Sequence, residues 1–349
     1  MTEPSVLAPF VTVVMPVRNE RAYLERSLGS VLAQDYPADR VEVLVADGRS
    51  TDGTREALEG YARANARVRI VDNPAGIVAP GLNRALREAK GDVVVRVDGH
   101  CEIATDYVRR AVAHLQAREA EGVGGPLETV GETFVARVIA RAMSSGFGVG
   151  GSAFRTRRDA TELVDTVAFP AYTREILERA GPFDEELVRN QDDEYNYRLR
   201  AMGARVLLAA DVRSRYWSRG TIRKLARQYF QYGYWKVRVL QKHPAQMKAR
   251  QFVPPVFVGS LLLAGAAAPA FPFARILLAA GAALYGAANL AASVASRADL
   301  GWRGVPPLAV SFAALHFAYG LGFLTGLVRF ANRWGDRKTR FRVPIEENS

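Results

Sequence analysis

Val11-Thr12-Val13-Val14-Met15 is a short apolar run closed by Pro16, and Glu42-Val43-Leu44-Val45-Ala46 is a second, closed by Asp47-Gly48. Behind the first, Tyr23, Leu24, Ser27, Leu28, Val31 and Leu32 return at helical spacing. Behind the second, Ser50-Thr51-Asp52-Gly53 supplies cap and turn residues for a helix over Arg55–Arg63. The alternation continues with a strand at Arg67–Val71, a helix at Pro80–Ala89 stopped by Gly91, and a strand at Asp92–Val97. Short apolar runs that each lead into a helix read as parallel strands covered on both faces. The expected fold class is therefore α/β, a Rossmann-like, mostly parallel sheet whose ligands bind beyond the carboxyl ends of the strands.

Further along, Gly122–Val130, Asp165–Ala171 and Arg205–Ala209 read as strands, Thr173–Arg179 and Asp193–Arg200 as helices, and the Gly/Ser-rich Ser144–Ser152 as a loop. The chain has 349 residues, a net charge of +11 and one cysteine, Cys101, which excludes an intramolecular disulfide framework and an all-cysteine zinc site. The charge points to anionic partners. From Phe252 to Val328 only Arg275, Arg297, Asp299 and Arg303 are charged. Phe252–Phe273, Ile276–Ala295 and Val305–Val328 each approach the roughly 20 apolar residues that cross a bilayer. Residues 1–211 are thus expected to form the α/β domain, 212–251 a juxtamembrane region, 252–330 a membrane region of two to three segments and 331–349 a basic tail. Between Val212 and Arg250 stand eleven Lys/Arg and no acid, interleaved with Tyr and Trp. Ahead of apolar segments this reads as an amphipathic helix on an anionic leaflet rather than a nucleic-acid surface, each cation contributing about 1 kcal/mol.

Carboxylates gather at the strand ends. Asp47 closes the second strand, Asp98 closes the fourth within Val97-Asp98-Gly99-His100, and Gln191-Asp192-Asp193-Glu194 opens a later helix. Asp98 and His100, two residues apart, are expected to hold a divalent cation, Mn2+ or Mg2+, together with diphosphate oxygens; imidazole favours Mn2+. Glu194 and Arg198 are spaced as a helix-surface pair, and Cys101 as a small buried residue.

Val14-Met15-Pro16-Val17-Arg18-Asn19-Glu20 resembles the opening motif of glycosyltransferase family 2, and Asp47–Thr54 resembles its second. Val97–His100 stands where that family has its metal-binding Asp-x-Asp. Gly181-Pro182-Phe183-Asp184-Glu185 with Gln191-Asp192 resembles its Gly-Gly-Phe-Asp-Glu and Glu-Asp region. Ser144–Arg155, Arg189–Arg200 and Gln228–Lys236 are similar to the membrane-bound, succinoglycan-type exopolysaccharide glucosyltransferases of the family. His100 in place of the second Asp and Gln191 in place of Glu are departures.

The resemblance implies a GT-A fold, a UDP-sugar donor, a divalent cation and inversion at the sugar carbon. Carried over by position, Pro16, Arg18, Glu20, Asp47 and Asp98 would bind the nucleotide-sugar, with Asp47 accepting uracil N3–H. Asp98 and His100 would hold the metal, and Asp192 would be the general base. Gln228 and Trp235 would contact diphosphate or acceptor, or rest on lipid. The expected activity is transfer of a hexose, glucose by resemblance, to a lipid-linked oligosaccharide in exopolysaccharide or cell-surface glycan biosynthesis. The alternatives are a polyprenyl-phosphate glycosyltransferase and a membrane-tethered nucleotide-sugar sensor without activity. A processive synthase is disfavoured, because Gln228-Tyr229-Phe230-Gln231-Tyr232 lacks the Gln-x-x-Arg-Trp pattern.

Met1–Phe10 has no signal-peptide pattern, and with the basic stretch before Phe252 the catalytic domain is expected on the cytoplasmic side of the cell membrane. The basic tail, Arg329 to Arg342, argues for an even number of crossings. Ile276–Ala295 and Val305–Val328 are expected to span, with the Pro-broken Phe252–Phe273 re-entrant or interfacial.

Overall fold

The computed structural model describes residues 8–218 and 220–339. The end of the expected basic tail, with Arg340, Arg342 and Ser349, lies outside the described residues. In chain order the elements are β1 (Val11–Val17), α1 (Leu24–Leu32), β2 (Val41–Asp47), α2 (Thr54–Ala64), β3 (Val68–Asp72), α3 (Val78–Glu88), β4 (Val93–Arg96), β5 (Cys101–Ile103), α4 (Tyr107–Gln116) and β6 (Gly122–Gly125). There follow β7 (Leu127–Val130), α5 (Phe134–Met143), α6 (Gly146–Val149), α7 (Ala153–Thr156), β8 (Glu162–Leu163), β9 (Ala168–Thr173), α8 (Arg174–Ala180), α9 (Gln191–Ala201), β10 (Val206–Leu208) and β11 (Ser214–Trp217). The chain ends in α10 (Ile222–Lys242), α11 (Val253–Ala267), α12 (Pro272–Ala295) and α13 (Val305–Arg329).

Two compact units are present. The first contains the chain up to Leu127 and Arg157–Tyr216; the second contains Glu128–Thr156 and Trp217–Lys338. In the first, the sheet order is β3-β2-β1-β4-β9-β6-β10-β8. β1 pairs in parallel with β2 and β4, β2 with β3, and β6 with β10. The chain therefore leaves β1 in one direction for β2 and β3 and returns to its other side for β4. This reversal opens a crevice beyond the carboxyl ends of β1 and β4.

Pro16 sits inside β1 without breaking it. Val97 N–H donates to the Val14 carbonyl, so the even residues of β1 face β4, and β4 pairing has ended by position 16. No ladder bond is lost to the missing N–H. The core under this half joins Val14, Leu44, Val71, Leu82 and Val94 to Tyr172, Ile176, Phe183, Tyr195 and Leu199.

Several expectations change. Gly122–Val130 is two strands, β6 and β7, because Pro126 interrupts the ladder. β9 runs antiparallel to both β4 and β6. The Ser144–Ser152 loop contains the short helix α6, closed by Gly150 in the left-handed region. Of the prolines in Phe252–Phe273, Pro254 and Pro255 lie in the first turn of α11, where no hydrogen bond is lost, whereas Pro269 sits in the turn that ends α11 and Pro272 begins α12. Among the described residues three helical stretches are long and apolar enough to cross a membrane: Ala249–Ala267, which is α11 with the turn before it, α12, and Trp302–Arg329, which is α13 with the turn before it.

In the second unit α10 and α13 run side by side. A methyl group on Gly322 would collide with the Phe230 carbonyl, and one on Gly326 with that of Tyr234. Glycine spacing of four on α13 thus lets two helix backbones touch. Lys236, Arg238 and Lys242 of α10 are buried, while Arg223, Lys224 and Arg227 are exposed. Along α10, the first half presents its charge outward and the second half buries it.

Candidate active site

Three strand ends meet at the crevice. β1 runs into Arg18-Asn19-Glu20, β2 ends on Asp47, and β4 leads through Arg96 to Asp98 and His100. The first two loops are stitched together. Asn19 N–H donates to Ser50 Oγ (2.9 Å), Thr51 N–H to Asn19 Oδ1 (2.8 Å), Glu20 N–H to Thr54 Oγ1 (2.9 Å) and Arg21 N–H to Asp52 Oδ2 (3.2 Å). Asn19 adopts φ 56°, a left-handed turn that asparagine tolerates. Asp52 Oδ1 also accepts from Thr54 Oγ1 at 2.6 Å. Much of the Ser50–Thr54 motif is therefore scaffold. Asp47 is 2% exposed and accepts from Ser50 Oγ (2.6 Å) and Arg55 (3.4 Å). Arg18 reaches across Gly48 and donates to the Gly76 carbonyl at 2.8 Å.

Glu20 Oε1 lies 2.8 Å from His100 Nδ1, and the imidazole stands edge-on to Tyr216, ring centroids 5.1 Å apart. A carboxylate on Nδ1 fixes the ring orientation and leaves Nε2 as the lone-pair nitrogen, the arrangement that supports histidine metal ligands. Asp98 is held by a guanidinium fork, Arg96 Nε to Oδ1 at 3.0 Å and NH2 to Oδ2 at 3.2 Å. A carboxylate has lone pairs for both an arginine and a cation. Among the described residues no three His, Cys, Asp or Glu side chains converge as a self-sufficient metal site. Asp98 and His100 each keep lone pairs that could serve a divalent cation.

Arg96 is the residue sequence reasoning missed. It is 6% exposed, and Asp98 and Asp192 are the carboxylates whose charge it feels. The available signal was a lone cation inside the apolar strand Asp92–Val97, where a buried charge needs a partner.

Asp192 stands in the first turn of α9 and accepts from Asp193 N–H at 3.0 Å. Burial, then the neighbouring Asp193, pushes its carboxyl above the ordinary range, with Arg96 pulling the other way. Gln191, beside it, is buried, and its Oε1 has no hydrogen-bond partner among the described residues. α9 is fixed from below. Asn83 brackets Phe183, accepting from its N–H (2.7 Å) and donating to its carbonyl (2.9 Å) and to Glu185 (2.8 Å). Phe183 stacks on Tyr195 with centroids 4.0 Å apart. Glu194 and Arg198 are not a surface pair: Glu194 is 1% exposed, and Arg198 forks onto it while donating to the Ala180 and Pro182 carbonyls. The i,i+4 spacing is that of an exposed pair, but here it ties α9 to the end of α8. Cys101 is buried, as expected.

Gln228 and Trp235 lie on α10 of the second unit. Gln228 Nε2 donates to Tyr232 Oη at 2.7 Å, and Trp235 packs against Tyr234 and Phe330.

A Rossmann-like sheet with carboxylates at its switch point defines the class of α/β proteins whose ligand binds beyond the carboxyl ends of the strands. The glycosyl transferase family 2 profile matches residues 12–181. The succinoglycan biosynthesis protein ExoA of Rhizobium meliloti (strain 1021) is 33% identical over 257 residues, 72% of this chain and 77% of that protein. The dolichyl N-acetyl-alpha-D-glucosaminyl phosphate 3-beta-D-2,3-diacetamido-2,3-dideoxy-beta-D-glucuronosyltransferase of Methanococcus voltae is 27% identical over 67% of this chain and 74% of its own length. The mannosyltransferase PcManGT from Pyrobaculum calidifontis, solved in complex with GDP-Man and Mn2+, superposes with a TM-score of 0.60 at 25% identity, covering 91% of this chain and 88% of that one. TarS 1–349 from S. aureus, solved with UDP-GlcNAc, shares the fold with a TM-score of 0.51 at 17% identity. The chain belongs to glycosyltransferase family 2 and is a glycosyltransferase.

Proposed function

We propose that this glycosyltransferase of glycan biosynthesis transfers a hexose, with inversion, from a UDP-sugar to a lipid-linked saccharide at a membrane surface. The observation that carries the reading is the buried Arg96 guanidinium, which forks onto Asp98 and feels the charge of Asp192. ExoA, a succinoglycan biosynthesis protein, supports the polysaccharide context. PcManGT, solved with GDP-Man and Mn2+, supports a nucleotide-sugar donor and a divalent cation.

In this reading Asp192 takes the proton of the acceptor hydroxyl as its oxygen bonds to the anomeric carbon. The bond from that carbon to the diphosphate oxygen breaks on the opposite face. A carboxyl raised above the ordinary range is a stronger base for that step. A single displacement of this kind needs one base and no second carboxylate nucleophile. Asp98 and His100 Nε2 would hold a divalent cation, which supplies charge neutralisation for the departing diphosphate; Glu20 orients His100. Asp47 would accept the N3–H of uracil. A carboxylate serves the N1–H of guanine equally, so the base is the finer part of the proposal. Three apolar helices supply the membrane attachment, with the catalytic unit on the cytoplasmic side, where nucleotide-sugars are made. Arg223, Lys224 and Arg227 are placed toward an anionic leaflet.

Product analysis with the purified full-length protein, a panel of UDP- and GDP-sugars and a lipid-linked acceptor extract tests this. Mn2+-stimulated transfer from a UDP-sugar to the extract is expected. Donor hydrolysis without a glycosylated lipid product, or transfer that proceeds fully in chelator, overturns it. Donor binding with neither transfer nor hydrolysis returns the sensor alternative.

A further inference from the structure

The three apolar helices are not equivalent. The share of the apolar stretch buried inside the structure is 11% for Ala249–Ala267, which contains α11, 11% for α12 and 39% for Trp302–Arg329, which contains α13. What covers α13 decides the topology. Its first half is held by α6: His316 Nε2 donates to the Phe147 carbonyl at 2.8 Å, Phe147 packs edge-on to Phe312 at 5.1 Å, and Gly148 lies against Leu315 and Phe312. Its second half lies along α10 through Gly322 and Gly326, and beyond its end Gln241 donates to the Phe330 carbonyl at 2.8 Å.

Neither covering element can be across a membrane from the first unit. Residues 128–156 leave that unit after Leu127 and rejoin it at Arg157. Their longest helix, α5, has 10 residues, about 15 Å, and carries Arg137 and Arg141. A hydrocarbon core of about 30 Å is out of its reach. α10 follows β11 directly and carries Arg223, Lys224, Arg227, Lys236, Arg238 and Lys242, which excludes it from spanning lipid. A 25-residue helix is about 37 Å long, yet both halves of α13 touch elements confined to one side.

The feet of the α11–α12 pair are tied to the same insertion. Arg250, just before α11, donates to the Gly151 carbonyl at 2.9 Å, and Arg141 of α5 donates to the Ser296 carbonyl, just after α12, at 3.1 Å. The far end is bare: Leu263 is 74% exposed, Phe271 63%, Phe273 68% and Leu284 75%. At the tip Arg275 donates to the Ala268 and Pro269 carbonyls. A cation there belongs at a headgroup layer, not in mid-bilayer.

We propose that α11 and α12 form the hairpin that crosses the bilayer, its tip at the far surface, while α13 does not cross and keeps both ends on the side of the first unit. The partner of the bare hairpin faces is lipid. This rests on the membrane reading above and replaces the expectation that Ile276–Ala295 and Val305–Val328 span. Charge agrees: the tip carries only Arg275, whereas the α12–α13 connection carries Arg297 and Arg303 and the end of α13 leads into Arg329, Arg333, Arg337 and Lys338.

Single cysteines in a full-length Cys101→Ser protein test it, read by membrane-impermeant thiol labelling of intact cells and of inverted vesicles. Glu59→Cys on α2 marks the side of the first unit, independently of any activity. Ala298→Cys and Gly335→Cys, at the two ends of α13, should label only where Glu59→Cys does, and Ala270→Cys only on the opposite side. Ala298→Cys and Gly335→Cys on opposite sides of the membrane, or Ala270→Cys on the Glu59→Cys side, overturns the proposal. Labelling of Glu59→Cys in intact cells overturns instead the cytoplasmic placement of the catalytic unit.

Discussion

Arg96→Gln is expected to disable the site without emptying it. Arg96 is 6% exposed, and its guanidinium holds both Asp98 oxygens, at 3.0 and 3.2 Å. Charges about 4 Å apart attract by about 4 kcal/mol at an effective dielectric constant of 20. Removing one partner of a buried pair costs about 3–5 kcal/mol, because the other charge is left uncompensated. Asp98 retains 21% side-chain exposure, so water recovers part of this and about 3 kcal/mol is expected. That corresponds to a fall of roughly 10²-fold in kcat/KM if the loss falls on the transition state. A second effect separates the role from mere packing. Asp192 loses the cation that offsets Asp193 and Asp98, so the acid limb of the kcat–pH profile should move to higher pH. Arg96→Lys keeps the charge and loses the fork; it should hold the limb near its wild-type position while recovering only part of kcat/KM. The assay is initial-rate kinetics across pH on all three proteins, with thermal unfolding in detergent as a check on folding. A folded glutamine variant with a wild-type pH profile and kcat/KM within threefold would refute the reasoning and reduce Arg96 to core filler.

Asp192→Asn should lower kcat by roughly 10²–10⁴-fold, and the same change should stabilise the fold at neutral pH. A carboxyl raised in the folded state is favourable below its unfolded pKa and becomes costly as pH rises through the folded value, a cost the amide never incurs; a neutral-pH melting point below wild type would contradict it. Asp47→Ala should weaken UDP binding more than Mn2+ binding in calorimetric titrations, and equal losses would indicate misfolding. His114 lies between Glu119 and Asp211, whose hydrogen bonds raise its pKa against the opposing effect of burial, while Asp211 is lowered. His114→Gln should therefore be less stable than wild type below about pH 6.5, the ordinary histidine value. The gap should close as pH rises through the raised His114 value, and on the acid side as Asp211 protonates. A gap that is flat with pH in thermal melts would rule out the ion pair as its cause.

The alternation of strand and helix from Val11 to Arg96, and the carboxylates at the strand ends, were legible in the sequence because both are local. Apolar periodicity declares an element, and Gly, Pro and Asp punctuate it within a few residues. The order of sites along the chain therefore placed Asp47, Asp98 and His100 at one sheet edge before any coordinates. What those side chains touch was decided by the tertiary structure. Glu20 meets His100 across 80 residues, and Asn83 meets Phe183 across 100. Arg96 and Asp98 are two residues apart, but only the buried sheet makes that pair a necessity rather than a coincidence. Helical spacing gave Glu194–Arg198 correctly and its environment wrongly, since periodicity reports which residues share a face and not what covers that face. The same limit applied to the apolar tail. Composition marks α11, α12 and α13 alike, because hydropathy counts side chains. The partner that sets α13 apart is α10, and it reaches α13 through the glycines that let the two backbones touch.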